Sequence, residues 1–197
     1  MKKLFFLFLS LIAFSFTTNA QTRFGIKGGV NFANLAFSSG GMSSNQNSIT
    51  TAQIGVTFES RLSDRIILRN DVLFSQKGAI TPSNIADYKT TINYLEVPFN
   101  FLYEPTYYSF IGVGPYVGYA MTGTILSNGQ SSDITFGDGE FKRLDYGLNL
   151  TVGYEVFEGL VLSANYSLGL ANIIDSNTAS FKNKVIGISV TKFFKGK

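Results

Sequence analysis

The sequence predicts an all-β protein, an eight-stranded antiparallel up-and-down transmembrane β-barrel that follows a cleaved signal peptide. Three observations carry this. Eight segments alternate between apolar residues and polar or small ones. The connections between them alternate strictly between long and short. Charged residues make up only 15% of the 197-residue chain, against about 25% in ordinary soluble domains. Beyond the N-terminus there is no run of about 20 apolar residues that could span a bilayer as a helix. Low charge without a spanning helix leaves the other membrane-compatible solution, a closed barrel whose backbone polar groups are all paired.

Residues 1–20 read as an address. Lys2 and Lys3 form a positive n-region, and Leu4 through Phe16 is apolar except for Ser10 and Ser15. Thr17, Thr18, Asn19 and Ala20 form a small-residue cleavage region, with Gln21 opening the mature chain. The apolar stretch is short for an anchor helix. No cysteine follows the site, which excludes a lipoprotein anchor. The barrel domain is assigned to residues 21–197.

In a strand, neighbouring side chains point to opposite faces. The first segment sets Phe24, Ile26, Val30 and Phe32 against Arg23, Lys27 and Asn31. The second sets Ile54, Val56 and Phe58 against Gln53, Thr57 and Glu59, and the third sets Leu68, Val72 and Phe74 against Arg69, Asp71 and Lys77. Leu95, Phe99 and Phe101 then oppose Tyr94, Glu96 and Asn100. In the fifth segment Ile111, Val113 and Val117 oppose Gly112, Gly114, Tyr116 and Gly118. The sixth is the most regular, with Leu144, Tyr146, Leu148, Leu150, Val152 and Tyr154 against Arg143, Asp145, Asn149, Thr151 and Glu155. Leu162, Tyr166 and Leu168 oppose Ser163, Asn165 and Ser167, and Ile186, Ile188 and Val190 oppose Gly187, Ser189 and Thr191.

Long polar connections are expected near Ala36–Ser48, Gly78–Lys89, Thr122–Glu140 and Asn172–Asn183, and short turns near Leu62–Asp64, Glu104–Thr106 and Val156–Gly159. Long extracellular loops and short periplasmic turns are the membrane-barrel pattern, and both chain ends then lie in the periplasm. Phe24, Phe58, Tyr103, Tyr108, Tyr154 and Phe194 fall near the periplasmic ends, while Phe32, Phe74, Tyr119 and Tyr166 fall toward the others. They are expected to form two interfacial aromatic girdles. Pro98 and Pro115 lie inside neighbouring strands, where proline removes a ladder donor, so bulges or local mispairing are expected there. The competing fold is a soluble up-and-down barrel with an apolar cavity. Such a barrel needs many charges on its outer face, whereas the polar face here is mostly Gly, Ser, Thr and Asn.

Composition excludes several chemistries. With no cysteine and no histidine the chain lacks disulfides, thiolate nucleophiles and the usual proton shuttle. The net charge of +3 becomes +1 once Lys2 and Lys3 are removed (+3 − 2), so nothing favours nucleic acid as a partner. No cofactor and no metal are expected. Asp133, Asp138 and Glu140 lie in the third long loop but match no calcium-ligand spacing. Gly112, Gly114 and Gly118 sit inside a strand pattern and make room for a neighbour such as Tyr116 rather than forming a phosphate loop.

Ten charged residues fall on the proposed inner face: Arg23, Lys27, Glu59, Arg69, Asp71, Lys77, Glu96, Arg143, Asp145 and Glu155. An eight-stranded barrel is just wide enough for side chains to fill it, and ions in that space must pair. They are therefore read as a lumen ion-pair network. A proton relay or narrow ion path is the sharper alternative. Asp71 with Glu96, or Asp145 with Glu59, are the carboxylate pairs that a catalyst would need.

Five motifs in order resemble one known family. Phe24-Gly25-Ile26-Lys27-Gly28-Gly29-Val30-Asn31 opens the barrel, and Leu73-Phe74-Ser75-Gln76-Lys77-Gly78 closes the third segment. Tyr94-Leu95-Glu96-Val97-Pro98, Gly112-Val113-Gly114-Pro115-Tyr116 and Asp145-Tyr146-Gly147-Leu148 follow. Together they resemble the PorT-like outer-membrane β-barrel family of the Bacteroidota, whose members commonly carry the two strand prolines. The resemblance implies an outer-membrane location and a link to type IX secretion. It departs at the end, where Lys195-Gly196-Lys197 extends past the terminal aromatic Phe194. The expectation is a non-enzymatic scaffold or interaction protein. Its partners would be outer-membrane lipid, barrel-assembly machinery and secretion-complex proteins. A narrow pore or transporter is the second reading, and a lipid-modifying enzyme the third.

Overall fold

A sheet with one apolar and one polar face, placed in lipid, has no use for a free edge, because every unpaired N–H and C=O there is costly. The computed structural model meets this by closure. It describes residues 22–40, 42–82, 87–137, 139–176 and 178–194, so the expected leader lies outside the described residues, as do Asp138 and the three-residue tail.

Among the described residues, ten strands form one antiparallel sheet: β1 (Thr22–Ser39), β2 (Met42–Asn45), β3 (Ile49–Arg61), β4 (Ile66–Thr81), β5 (Tyr88–Thr106), β6 (Ser109–Ser127), β7 (Gln130–Asp133), β8 (Leu144–Phe157), β9 (Leu160–Gly169) and β10 (Ala179–Phe194). Eight of them pair in chain order to make the barrel, and β10 returns to β1. That closing ladder runs unbroken from Phe24↔Phe194 to Ser39↔Ala179. The short β2 and β7 are hairpin partners of β1 and β6 above the barrel proper. The fold is thus the expected eight-stranded up-and-down barrel, carrying two extra strands.

The two faces follow the alternation. In β8 the burial pattern switches at every residue from Leu144 to Leu150, with Asp145, Gly147 and Asn149 inside. Outside stand Leu144, Tyr146, Leu148, Leu150, Val152 and Tyr154, all exposed. Similar apolar rows cover β1, β6, β9 and β10. These side chains, exposed to lipid rather than water, are the bilayer-facing surface.

The connections differ from expectation in extent. Much of each long connection is strand, because hairpins continue past the membrane where alternating Ser, Thr and Asn still support a ladder. β4 reaches Thr81, β5 begins at Tyr88 and β6 runs to Ser127. The second periplasmic turn lies at Tyr107–Tyr108, with Glu104–Thr106 inside β5. The third is Glu158–Gly159, where Gly159 takes a positive φ of 73°.

The prolines interrupt pairing without shifting it. Between β4 and β5 the ladder passes from Asn70↔Phe99 to Leu73↔Glu96, skipping Val97 and Pro98. Between β5 and β6 it passes from Pro98↔Tyr116 to Phe101↔Val113, skipping Gly114 and Pro115. The register shifts of this ladder lie elsewhere, between Asn93 and Tyr94, where β6 carries Met121 as the extra residue, and between Tyr103 and Thr106. Gly114 is required at the gap: a Cβ there would lie 1.6 Å from the Phe99 carbonyl oxygen.

Candidate functional site: the filled lumen

The inward residues of the eight strands stack in layers from the periplasmic to the extracellular end. The periplasmic layer is an apolar cluster of Ile67, Leu102, Phe110, Val161 and Phe193. Beside it lies a four-member ionic group. Arg23 donates to Glu59 at 2.6 Å and to Glu155 at 2.9 Å. Arg69 donates through Nε to the other oxygen of Glu59 at 2.6 Å. Glu155 also accepts the Gly159 N–H at 2.7 Å. Both guanidinium groups lie over aromatic rings, Arg69 over Phe110 at 4.2 Å and Arg23 over Phe193 at 4.5 Å. Ring faces carry the negative end of the aromatic quadrupole, so they suit cations that have left water.

The middle layer is a single ion pair with neutral neighbours. Lys27 Nζ donates to Asp71 at 2.6 Å, and Thr57 Oγ1 donates to the other oxygen at 2.5 Å. Asn149 bonds Asn100 and accepts from Ser167, both at 2.9 Å. Ser163 and Ser189 are bonded to each other at 3.0 Å.

The upper layer centres on Lys77, which is fully enclosed. It pairs with Glu96 and with Asp145, the latter at 3.1 Å. Its ammonium lies 4.3 Å from the Tyr116 ring centre and 5.2 Å from that of Tyr94. Asp145 also accepts from Asn183 at 2.9 Å and Tyr116 at 3.3 Å. Glycines on the inward face make the space for these rings. A Cβ on Gly147 would meet Tyr116 at 2.8 Å, and one on Gly153 would meet Phe110 at 2.2 Å.

Above this layer an apolar cap closes the barrel. Leu35, Ala79, Ile92, Ala120, Ile134 and Ile173 are buried together, with Ile125, Phe136, Phe141 and Phe181 packed on them. The segments that follow β7 and β9 supply it by bonding across the opening. Lys142 N–H donates to the Ile173 carbonyl at 2.8 Å and Asp175 N–H to that of Glu140 at 2.7 Å. The Lys142 ammonium lies 2.9 Å from Asp175. That ammonium and the Gly139 N–H hold the Asp175 carboxyl below its ordinary range.

Nine of the ten sequence-predicted charges enter these layers. Arg143 does not: its guanidinium donates to the Ala120 carbonyl at 2.9 Å and lies over Phe136 at 4.5 Å, at the base of the cap. The β6–β8 ladder ends at Tyr119↔Leu144, and just beyond it the Ala120 and Met121 carbonyls stand beside Arg143 as acceptors. The suggested carboxylate pairs are not assembled either. Asp71 goes to Lys27, Glu96 to Lys77, Glu59 to two arginines and Asp145 to Lys77. Sequence reasoning passed over Thr57, Phe110, Asn183 and Phe193 as site residues. Their signal was inward parity alone, which carries no chemistry until the facing strand is known. Among the described residues, no group of three or more His, Cys, Asp or Glu side chains is arranged to hold a metal.

An apolar outer surface, a closed ring of strands and a lumen packed with paired charges define an integral outer-membrane β-barrel. The family profile described as outer membrane protein beta-barrel domain matches residues 19–175. The chain belongs to that family, and it resides in the outer membrane. No curated protein matches the sequence. Among solved structures it is similar to Neisserial surface protein A, at 17% identity over 87% of this chain and 97% of that one, with a TM-score of 0.54. It is also similar to the outer membrane protein OprG from Pseudomonas aeruginosa, at 12% identity over 90% and 98% and a TM-score of 0.48. The attachment invasion locus protein Ail of Yersinia pestis matches at 13% identity over 87% and 99%, with a TM-score of 0.45.

Proposed function

We propose that this barrel is a non-enzymatic scaffold or interaction protein of the outer membrane. One observation carries the reading. The lumen is occupied from end to end by side chains, with apolar layers at the periplasmic mouth and under the extracellular loops. A conduit needs a wetted path, whereas this lumen commits its charges to one another. What remains available to partners is the outside: the lipid-facing wall, the hairpins that rise above it and the periplasmic turns. The PorT-like motifs add a context, a complex for type IX secretion or surface assembly.

A crosslinked, affinity-tagged pull-down from native outer membranes, read by mass spectrometry, tests this. The expected result is recovery of secretion or surface-assembly components. Recovery of barrel-assembly factors alone would contradict it. The second reading, a narrow pore, has one foothold: a recess of about 170 Å³ at the periplasmic mouth, lined by Arg23, Glu59, Arg61 and Ile67.

A further inference from the structure

The outward face of β4 carries a polar side chain where the barrel wall has no use for one. From the periplasmic end it reads Ile66, Leu68, Asn70, Val72 and Phe74. Ile66 and Phe74 are about 27 Å apart along the strand, or roughly 20 Å of membrane depth at the usual barrel tilt. Asn70 therefore stands midway through the hydrocarbon. In register with it are Phe58 on β3 and Phe99 on β5. The outward residues from Ile54 to Phe58 on β3 and from Leu95 to Phe101 on β5 are all apolar. The Asn70 Oδ1 is enclosed and accepts no hydrogen bond.

An unpaired amide oxygen at this depth is costly, because lipid supplies no donor. Beside it the β4–β5 ladder lapses at Val97 and Pro98, where proline has no N–H to give. Two polar shortfalls thus adjoin in one stretch of wall. The surface around them also differs in relief. Val56, Phe58, Leu68, Val72 and Phe99 are half-buried and Val97 is buried, whereas the outward side chains of β8 from Leu144 to Tyr154 all stand exposed. The result is a flat plate whose side chains have already given up much of their rotamer freedom. Docking against it costs little further entropy.

From this we infer that the plate is the intramembrane interface of a homodimer, in which Asn70 of each copy faces Asn70 of the other. Symmetry and chemistry select the occupant. Two copies inserted in the same direction form a closed pair about a twofold axis along the membrane normal, so a residue on that axis meets itself at its own depth. An amide carries both a donor and an acceptor, and is therefore its own complement. Rotation about χ2, which is broad for asparagine, turns the oxygen toward the N–H of the second copy. A purely apolar partner would leave the amide unpaired, and a charged one would bury an unpaired ion. The dimer leaves the extracellular hairpins and periplasmic turns of both copies open, so it is independent of what those segments bind.

The test uses the full barrel refolded in phosphatidylcholine vesicles at low protein density. Dimerisation is read by energy transfer between barrels labelled at Ser131→Cys on the exposed β7. Asn70→Leu on that background is expected to weaken the dimer roughly threefold to thirtyfold, the range of a hydrogen bond between membrane segments. Asn70→Gln keeps the amide and should retain most of the affinity. The chain has no cysteine of its own, so a single introduced thiol locates the interface. Copper-phenanthroline oxidation should link Asn70→Cys into a dimer and leave Ala164→Cys monomeric, since Ala164 faces outward on β9, across the ring from β4. Equal linkage at both positions, a monomer by energy transfer, or an Asn70→Leu dimer as tight as the parent would each overturn the interface. A photoreactive residue at position 70 in native outer membranes should capture a second copy. Capture of a different protein there would overturn the homodimer. Heat-dependent gel mobility identical to the parent shows that each variant is folded.

Discussion

At the scale of single residues, the lumen is a set of short-range solutions to one problem, charge without water. Asp71 is fully buried and Lys27 nearly so, and each is the other's ionic partner. Removing one side of such a pair leaves an uncompensated buried ion, at a cost of about 3–5 kcal/mol, whereas replacing both by apolar groups is often neutral. Asp71→Ala is therefore expected to destabilise the barrel by about 3–5 kcal/mol in urea unfolding from lipid vesicles. The Lys27→Met/Asp71→Leu double variant should recover most of that loss. A cost for Asp71→Ala below about 1 kcal/mol, the range of exposed pairs, would show that water reaches the layer. The inward placement of both residues was legible from parity. Their partnership was not, because they lie 44 residues apart and on strands that are not adjacent in the ring.

Among the elements, the cap is the feature with a titratable clasp. Asp175 bonds Lys142 and the Gly139 N–H, and its folded pKa lies below the ordinary value of 3.8. A depressed carboxylate contributes stability that is fully present above the ordinary value and disappears as pH falls through the folded one. The clasp should therefore hold from neutral pH to about 4 and release below that. The Gly139 amide resonance, followed in micelles through acid titration, should move with a midpoint under the ordinary carboxylate value, and Asp175→Asn should abolish the movement. A midpoint at the ordinary value would mean that the clasp is absent in solution. Little of this element could be read from the chain. Its segments look like Ser- and Asn-rich loops, and the apolar side chains that close the lumen, Ile134, Phe136, Phe141 and Ile173, are scattered through them without period. The strand extensions were hidden for a related reason. Above the membrane both faces of a strand are polar enough for water, so alternation fades while the hydrogen-bonded ladder continues.

For the whole molecule, two apolar layers in series predict the electrical behaviour. The refolded barrel is expected to show no conductance in planar bilayers. Replacing residues 134–142 by a short turn should leave it silent, because Phe110 and Phe193 still close the periplasmic end. The same deletion combined with Phe110→Ala and Phe193→Ala should produce steady unitary currents. Currents through the unmodified barrel would refute the closed lumen and favour the pore reading.

The existence, facing and direction of the eight barrel strands were determined by the sequence itself, and so was the alternation of long and short connections, whereas the short β2 and β7 were not. The features it determined depend on local period and on the cost of leaving backbone groups unpaired in lipid, quantities present in every stretch of the chain. The tertiary structure alone decided the partners. Closing the ring brought Lys77 between Glu96 and Asp145, set Gly147 against Tyr116 and folded two distant loops into one apolar lid. Contacts across a lumen depend on the register of strands far apart in the chain, and one residue of slip reverses every face. Arg143 shows the limit most clearly: parity put it inward with the other charges, and its place at the end of the β6–β8 ladder gave it carbonyl oxygens instead of a carboxylate.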